Sequence, residues 1–321
     1  MKLIIQIPCY NEHRTLHVTL SELPRHVKGF DTVEWLVIDD GSTDYTSHVA
    51  AAYGVDHIVK HVKNKGLAQA FMTGLHTAID LGADVIINTD ADNQYSASSI
   101  PALVQPILDG NAEMVIGSRP ISDIGHFSPI KKLLQKLGSW AVRVASNTDI
   151  PDAPSGFRAI TREAAKRLVV FSDYTYTLET IIQAGQKNIA ICSVPVAVNA
   201  DLRPSRLVKS ITSYVRRSIG TILRIFVVYR PFATFGGISA ILLSVGSALG
   251  IRYLYYLFTD GGAGHVQSLI LTSILLGAGF QTLLMAFQSD LIAANRKLLE
   301  DIRARSIENS GSWRKKDTWR D

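Results

Sequence analysis

The sequence predicts an α/β domain built on a mostly parallel sheet, followed by an amphipathic helix and two membrane-spanning helices. Three observations carry that prediction. Short β-rich runs alternate with helical patterns from residue 3 to about residue 120. Two long uncharged runs follow one another after residue 231. A basic block without a single acid stands in front of them.

The β-rich runs are residues 3–7, 35–38, 58–61, 85–88 and 114–116. Helical patterns fill residues 15–23, 43–53, 67–81 and 100–108 between them. Repeated strand–helix units imply parallel strands covered by helices, with ligands at the carboxyl ends of the strands. The first eight residues lack the long apolar stretch and small-residue cleavage site of a secretory signal, so they read as the first strand. A helix over 130–146, a loop and strand over 154–160, a helix over 177–184 and a strand over 189–194 complete the domain.

Residues 232–251 and 266–287 contain no charge. Each run at about 1.5 Å per residue covers roughly the 30 Å of a hydrocarbon core. The chain carries a formal charge of +5, and residues 202–230 hold seven cations (Arg203, Arg206, Lys209, Arg216, Arg217, Arg224, Arg230) and no acid, leaving 5 − 7 = −2 elsewhere. Cations flank the pair of spans on both outer sides, with Arg296, Lys297, Arg303 and Arg305 after the second. The positive-inside bias therefore predicts a two-pass protein with the α/β domain and both termini in the cytoplasm. At 100° per residue, residues 206–226 gather their cations on one arc and Leu207, Ile211, Ile219 and Ile222 opposite, the pattern of a helix lying on an anionic bilayer. The expected segments are 1–201 (α/β domain), 202–230 (juxtamembrane helix), 231–290 (transmembrane hairpin) and 291–321 (cytoplasmic basic tail). Nothing interleaves aromatic and basic residues as a nucleic-acid binder does. Cys9 and Cys192 lack the spacing of zinc or redox pairs.

Acids close two strands. The fourth runs into Asp90-Ala91-Asp92-Asn93-Gln94; alternation in an extended chain would put Asp90 and Asp92 on one face. Two carboxylates so spaced can hold Mg²⁺ or Mn²⁺ against a diphosphate. The second strand ends Ile38-Asp39-Asp40-Gly41-Ser42, where a carboxylate can take a base N–H or ribose hydroxyl, or simply cap a turn. The first ends Pro8-Cys9-Tyr10-Asn11-Glu12.

The ordered set Pro8–Glu12, Asp39–Ser42, Asn64-Lys65-Gly66, Asp90–Asp92 and Ser155-Gly156-Phe157-Arg158 resembles family 2 glycosyltransferases. It is most similar to their polyprenyl-phosphate branch, which includes dolichyl-phosphate mannose synthases and undecaprenyl-phosphate sugar transferases. The resemblance implies a GT-A fold, which is Rossmann-like, and inverting transfer from a UDP- or GDP-sugar to a polyprenyl phosphate. It implies that Pro8, Tyr10, Glu12, Ile38, Asp39, Asp40, Lys65, Asp90, Ala91 and Arg203 bind the nucleotide sugar. Asp90, Asp92 and Gln94 would surround the metal, and Asp92, Arg119, Asp152 and Glu179 would serve catalysis. Arg119, Lys131, Gln135, Ser205, Arg206 and Lys209 would meet the acceptor phosphate. Two departures stand out: Gly156 occupies a position where some relatives carry aspartate, and Lys131 and Gln135 stand where many carry arginine and serine.

A phosphate monoester is largely dianionic at pH 7, so it can attack without a strong base. The protein's work is then positioning and charge neutralisation. Two competing readings are a processive polysaccharide synthase, whose QxxRW motif none of the four tryptophans completes, and a non-catalytic membrane scaffold. Gly236, Gly237, Gly246 and Gly250 would permit a homo-oligomer. Two spans are too few for sugar export, so a separate flippase and a downstream glycosyltransferase are expected partners.

Overall fold

The computed structural model describes residues 1–120, 129–170, 176–200, 211–260 and 266–317. The strands are β1 Lys2–Cys9, β2 Thr32–Asp39, β3 His57–Lys60, β4 Val85–Asn88, β5 Met114–Ser118, β6 Arg158–Thr161 and β7 Ile191–Pro195. The helices are α1 Leu16–Glu22, α2 Thr46–Ala52, α3 Leu67–Asp80, α4 Ile100–Leu108, α5 Pro129–Ser146, α6 Arg162–Arg167, α7 Thr177–Gln186, α8 Ile211–Tyr229, α9 Pro231–Asp260 and α10 Val266–Asp317.

The strands form one sheet in the order β3-β2-β1-β4-β6-β5-β7. β1 pairs parallel with β2 and β4, β2 with β3, and β5 with β7. β6 runs antiparallel to both β4 and β5. The sheet is thus mostly parallel, with one reversed strand inserted between β4 and β5. That reversal decides where the site lies. It brings the start of β6, at Arg158, beside Asn88 and Ile116 near the carboxyl ends of β4 and β5.

β1 is apolar along nearly its whole length because both sheet faces are covered. Leu3, Ile5 and Ile7 join Leu16 and Leu20 of α1 and Ile100 and Leu103 of α4 in one core. Alternation sends Gln6 to the other face, where its amide donates to the Phe71 carbonyl of α3 and to Asn88 Oδ1 at 2.8 Å.

The chain divides into two compact units, residues 1–219 with 302–321, and residues 220–301. In the second, α9 and α10 pack together through small residues. Gly246 lies against Leu275 and Leu276, Gly279 against Leu243, and Ser239 Oγ donates to the Gly279 carbonyl at 2.7 Å. Within them, Pro231–Thr259 and Val266–Leu299 are long and apolar enough to cross a membrane. Only 11% and 17% of their most apolar windows is buried, unlike helices enclosed in a soluble core. Residues 291–317, within the segment expected to be a cytoplasmic basic tail, continue α10 without a break. Its mixture of Leu, Ala, Glu, Lys and Arg has good helix propensity and contains no proline.

Candidate active site

Four segments meet at the carboxyl edge of the sheet. Parallel pairing sets Cys9 beside Asp39 and Pro8 beside Ile38. Pro8 and Ile38 are buried wall residues, whereas Tyr10 emerges from the strand end 42% exposed. The loops after β1 and β2 are stitched together: Asn11 N donates to Ser42 Oγ at 2.9 Å, Glu12 N to Thr46 Oγ1 at 2.9 Å, and Thr43 N to Asn11 Oδ1 at 2.9 Å. Asn11 adopts a left-handed conformation, φ 54°, which asparagine tolerates better than most residues. The buried Glu12 side chain accepts from Thr15 Oγ1 at 2.7 Å.

Asp39 and Asp40 are both buried and both engaged. Asp39 Oδ1 accepts from Ser42 N at 2.7 Å, and Oδ2 takes the Ser47 hydroxyl and lies 3.7 Å from Lys60 Nζ. Burial opposes its charge, but these donors outweigh burial and hold its carboxyl below the ordinary value. Asp40 accepts Lys65 N and Gly66 N at 2.8 Å each and His61 Nδ1 at 2.7 Å. It thereby closes the amino end of α3, while the Lys65 side chain stays exposed. Gly41, φ 71°, makes the turn possible: a Cβ there would meet the Lys63–Asn64 backbone at 2.6 Å.

Asp90 and Asp92 are placed differently. β4 ends at Asn88, and the chain turns through Ala91 and Asp92 with Asn93 at φ 58°. The expected strand-like alternation of the two acids is replaced by a turn, which points both carboxylates to one locality by curvature. The buried Ala91 carbonyl accepts Thr19 Oγ1 at 3.1 Å, and Asp92 Oδ1 accepts Gln94 N at 3.2 Å. Burial first, then the like charge of Asp92, push the Asp90 carboxyl up to about 7.

Arg119, just past β5, faces this pair. Asp152, fully buried, clamps it from Nε at 2.8 Å and Nη2 at 3.0 Å, and also accepts its backbone N–H at 3.1 Å. Nη1 reaches Gln94 Oε1 at 3.3 Å, and the guanidinium lies over the Tyr95 ring. Burial opposes the cation, but Tyr95, Asp152 and Asp90 keep its pKa above the ordinary arginine value. Gln94, Arg119 and Asp152 therefore form one connected group beside Asp90 and Asp92. The buried Glu179 sits in the first turn of α7. Lys131 and Gln135 belong to α5, but their side chains, like Arg203, Ser205, Arg206 and Lys209 altogether, lie outside the described residues.

Several framing residues carried no role in the sequence reading. Asn88 Nδ2 donates to the Gly156 carbonyl and to Tyr176 Oη, both at 2.8 Å. Gly156 N donates to Tyr95 Oη at 3.1 Å. A Cβ on Gly156 would stand 2.9 Å from Asp90 Oδ2 and 3.0 Å from Tyr176 Oη, so glycine here leaves room for the Asp90 carboxylate. Arg158 is fully buried, donating to the carbonyls of Ser155, Ala153 and Thr177 and to Thr180 Oγ1. It ties the loop before β6 to α7, and burial lowers its pKa to about 10. The only advance signal was the motif Ser155–Arg158 itself; no pattern showed that its arginine turns inward.

Among the described residues no three His, Cys, Asp or Glu side chains converge as a closed metal cage. Two carboxylates and the amide of Gln94 nonetheless form a set of hard oxygen donors, which fits a divalent cation that keeps ligand positions for water or phosphate oxygens.

The α/β unit is similar to known proteins in sequence and in fold. Residues 4–169 match the model of Glycosyl transferase family 2. A UDP-N-acetylglucosamine–dolichyl-phosphate N-acetylglucosaminyltransferase of Methanococcus voltae is 30% identical over 212 residues, 59% of this chain and 82% of the relative. An undecaprenyl-phosphate mannosyltransferase of Micrococcus luteus is 25% identical over 218 residues, 64% of this chain and 88% of the relative. The fold matches glucosyl-3-phosphoglycerate synthase of Mycobacterium tuberculosis, solved with Mn²⁺ and UDP, at TM-score 0.55 and 20% identity, over 70% of this chain and 78% of that one. Because the matched segment covers just over half of its residues, the chain belongs to glycosyltransferase family 2.

Proposed function

We propose that this glycosyltransferase moves a sugar from a UDP- or GDP-linked donor to a polyprenyl phosphate, with inversion, at the cytoplasmic face of a membrane. The observation that carries the reading is the Asp90/Asp92 pair facing the Arg119–Asp152 clamp at the carboxyl edge of the sheet. Support for the acceptor comes from the relatives, which are named for transfer to dolichyl or undecaprenyl phosphate. Support for a lipid acceptor also comes from the two long apolar helices.

In this reading Asp90, Asp92 and Gln94 hold Mg²⁺ or Mn²⁺. That ion, when bound, supplies positive charge to a departing nucleoside diphosphate. Mn²⁺ and UDP bound to a protein of the same fold are consistent with this. Tyr10, Glu12 and Asp39, with Lys65, border the nucleoside, on loops already tied to one another. Asp152 holds Arg119 at one orientation, so its charge acts on phosphate oxygens without reorganisation. The acceptor phosphate arrives dianionic and needs orientation more than proton abstraction.

The test offers a panel of labelled UDP- and GDP-sugars, with undecaprenyl or dolichyl phosphate and Mg²⁺ or Mn²⁺, to the purified full chain. The expected product is one organic-extractable lipid monosaccharide whose anomeric configuration is opposite to the donor's. Polymer formation would favour the synthase reading. No turnover of any donor by a folded protein would refute the proposal.

A further inference from the structure

The loop that carries Asp92 is tied to α1 on both sides of that residue. Thr19 Oγ1 donates to the Ala91 carbonyl at 3.1 Å, and Asn93 Nδ2 donates to Glu22 Oε1 at 3.0 Å. Thr19 and Glu22 stand one helical turn apart on α1 and so share a face. Between the two ties the chain makes its turn: Asn93 is buried and left-handed, φ 58°. Asparagine tolerates that backbone without enforcing it, so a fixed partner for its side chain steadies the turn.

The second oxygen of Glu22 is used as well. Oε2 accepts from Asn199 Nδ2 at 3.2 Å, and the same amide nitrogen donates to the Asn93 carbonyl at 3.1 Å. Asn199 N donates to the Gln94 carbonyl at 2.9 Å, and Ser96 N to the Ala197 carbonyl at 3.1 Å. Tyr95 and Val198 form an antiparallel bridge. Residues 93–96 and 197–199 are therefore zipped together, and the Glu22 carboxylate closes the end nearest Asp92. A carboxylate suits that place because it only accepts, and each of its oxygens faces an amide N–H. Asn93 lies between Asp92 and Gln94 in the chain, so any slip of this turn displaces both of their side chains.

We propose that Glu22 is a positioning residue of the metal site: it presets the spacing of Asp92 and Gln94 by anchoring Asn93 to α1 and to Asn199. It acts through Asn93, by hydrogen bonding and not by its charge. The inference rests on the reading of Asp90, Asp92 and Gln94 as holders of a divalent cation.

The test titrates the full chain, in an uncharged detergent, with Mn²⁺ alone and reads the unbound ion by paramagnetic resonance. Glu22→Ala should weaken binding about tenfold, the scale of a lost support behind a metal ligand. Glu22→Gln should stay within about twofold of the parent, because its amide can accept from Asn199 and donate to a turned Asn93 amide. Asn93→Gly removes the side-chain amide and keeps the left-handed backbone open. It should cost a similar factor, and the two changes together no more than the larger one alone. Equal losses for Glu22→Ala and Glu22→Gln would mean that the charge attracts the ion from a distance, and overturn the proposal. Additive losses in the double variant overturn it too, as does a lower melting temperature with unchanged Mn²⁺ affinity. A parent that binds no Mn²⁺, or binds it equally well after Asp92→Asn, overturns the metal-site reading itself and this inference with it.

Discussion

Two strand-end loops of this protein carry paired aspartates and treat them in opposite ways. After β2, Asp39 and Asp40 are buried among donors of their own chain: Ser42, Ser47 and Lys60 for one, Lys65, Gly66 and His61 for the other. After β4, Asp90 is half-buried beside another acid, and no described donor bonds to its carboxylate. The same residue type is thus depressed below its ordinary pKa in one loop and pushed up to about 7 in the other. The difference teaches that an acid motif at a strand end says little about its task. What matters is whether the fold has already supplied the positive partner or has left the charge to be met from outside.

That contrast can be broken experimentally. The largest effect is expected for Asp92→Asn, which removes half of the β4 pair without opening the core. Transfer should fall by roughly a thousandfold or more, with the melting temperature within about 2 °C of the parent. Activity near the parent level would end the metal-site reading. Gly156→Ala should be next. Its methyl would press on Asp90 and the Tyr176 hydroxyl, so activity should drop about 10- to 100-fold and the metal concentration for half-maximal rate should rise. A stability loss with unchanged metal dependence would instead make the glycine a packing residue only.

Asp40→Asn reverses the pattern, because it leaves the Lys65 and Gly66 amides and His61 with a weaker partner. We expect a loss of about 1–3 kcal/mol in denaturant unfolding of the α/β unit, larger than the loss for Asp92→Asn. Equal losses for the two would erase the distinction between the loops. The smallest effect concerns Asp44, beside the β2 loop. Burial raises its pKa, but bonds from Thr46 and His13 overcome this and bring it to about 2. A carboxyl depressed on folding contributes stability above its unfolded pKa near 4 and loses it as pH falls through about 2. For this partly exposed group the contribution is on the order of 1 kcal/mol after solvent screening. Asp44→Asn should accordingly cost stability at pH 7, less at pH 2, where the folded-state carboxyl is half ionised, and nothing once the pH is well below 2, read from unfolding midpoints across that range.

The parts of the molecule that were legible in the sequence are those governed by local pattern. β4 and α4 match the expected residues end to end, because a short apolar run bounded by turns and a periodic run opened by proline leave little choice. The strand-end positions of Tyr10, Asp39 and Asp90 followed from the same pattern, whereas Arg119 came from the family resemblance. What was not legible depends on long-range pairing. Nothing local in Arg158–Thr161 says that it inserts antiparallel between β4 and β5. Hence the roles of Asn88, Gly156, Arg158 and Tyr176 were invisible, since each exists only once that strand is in place. The turn through Ala91 and Asp92 also escaped the pattern, because an isolated Asp-x-Asp reads equally well as strand. The length of α10 was not legible either: a drop in hydropathy after residue 287 marks the end of an apolar run, not the end of a helix.

The closure of α3 by Asp40 has a thermodynamic consequence. The backbone of Lys65 and Gly66 is held before any donor arrives, as is the Asn11–Thr43 contact beside it. Ordering a residue's backbone costs roughly 1–2 kcal/mol, so a loop held in advance spares several such terms when a ligand binds. Calorimetry of nucleotide binding should then register a small heat-capacity change and little entropic opposition, the signature of a lock cut before its key is inserted.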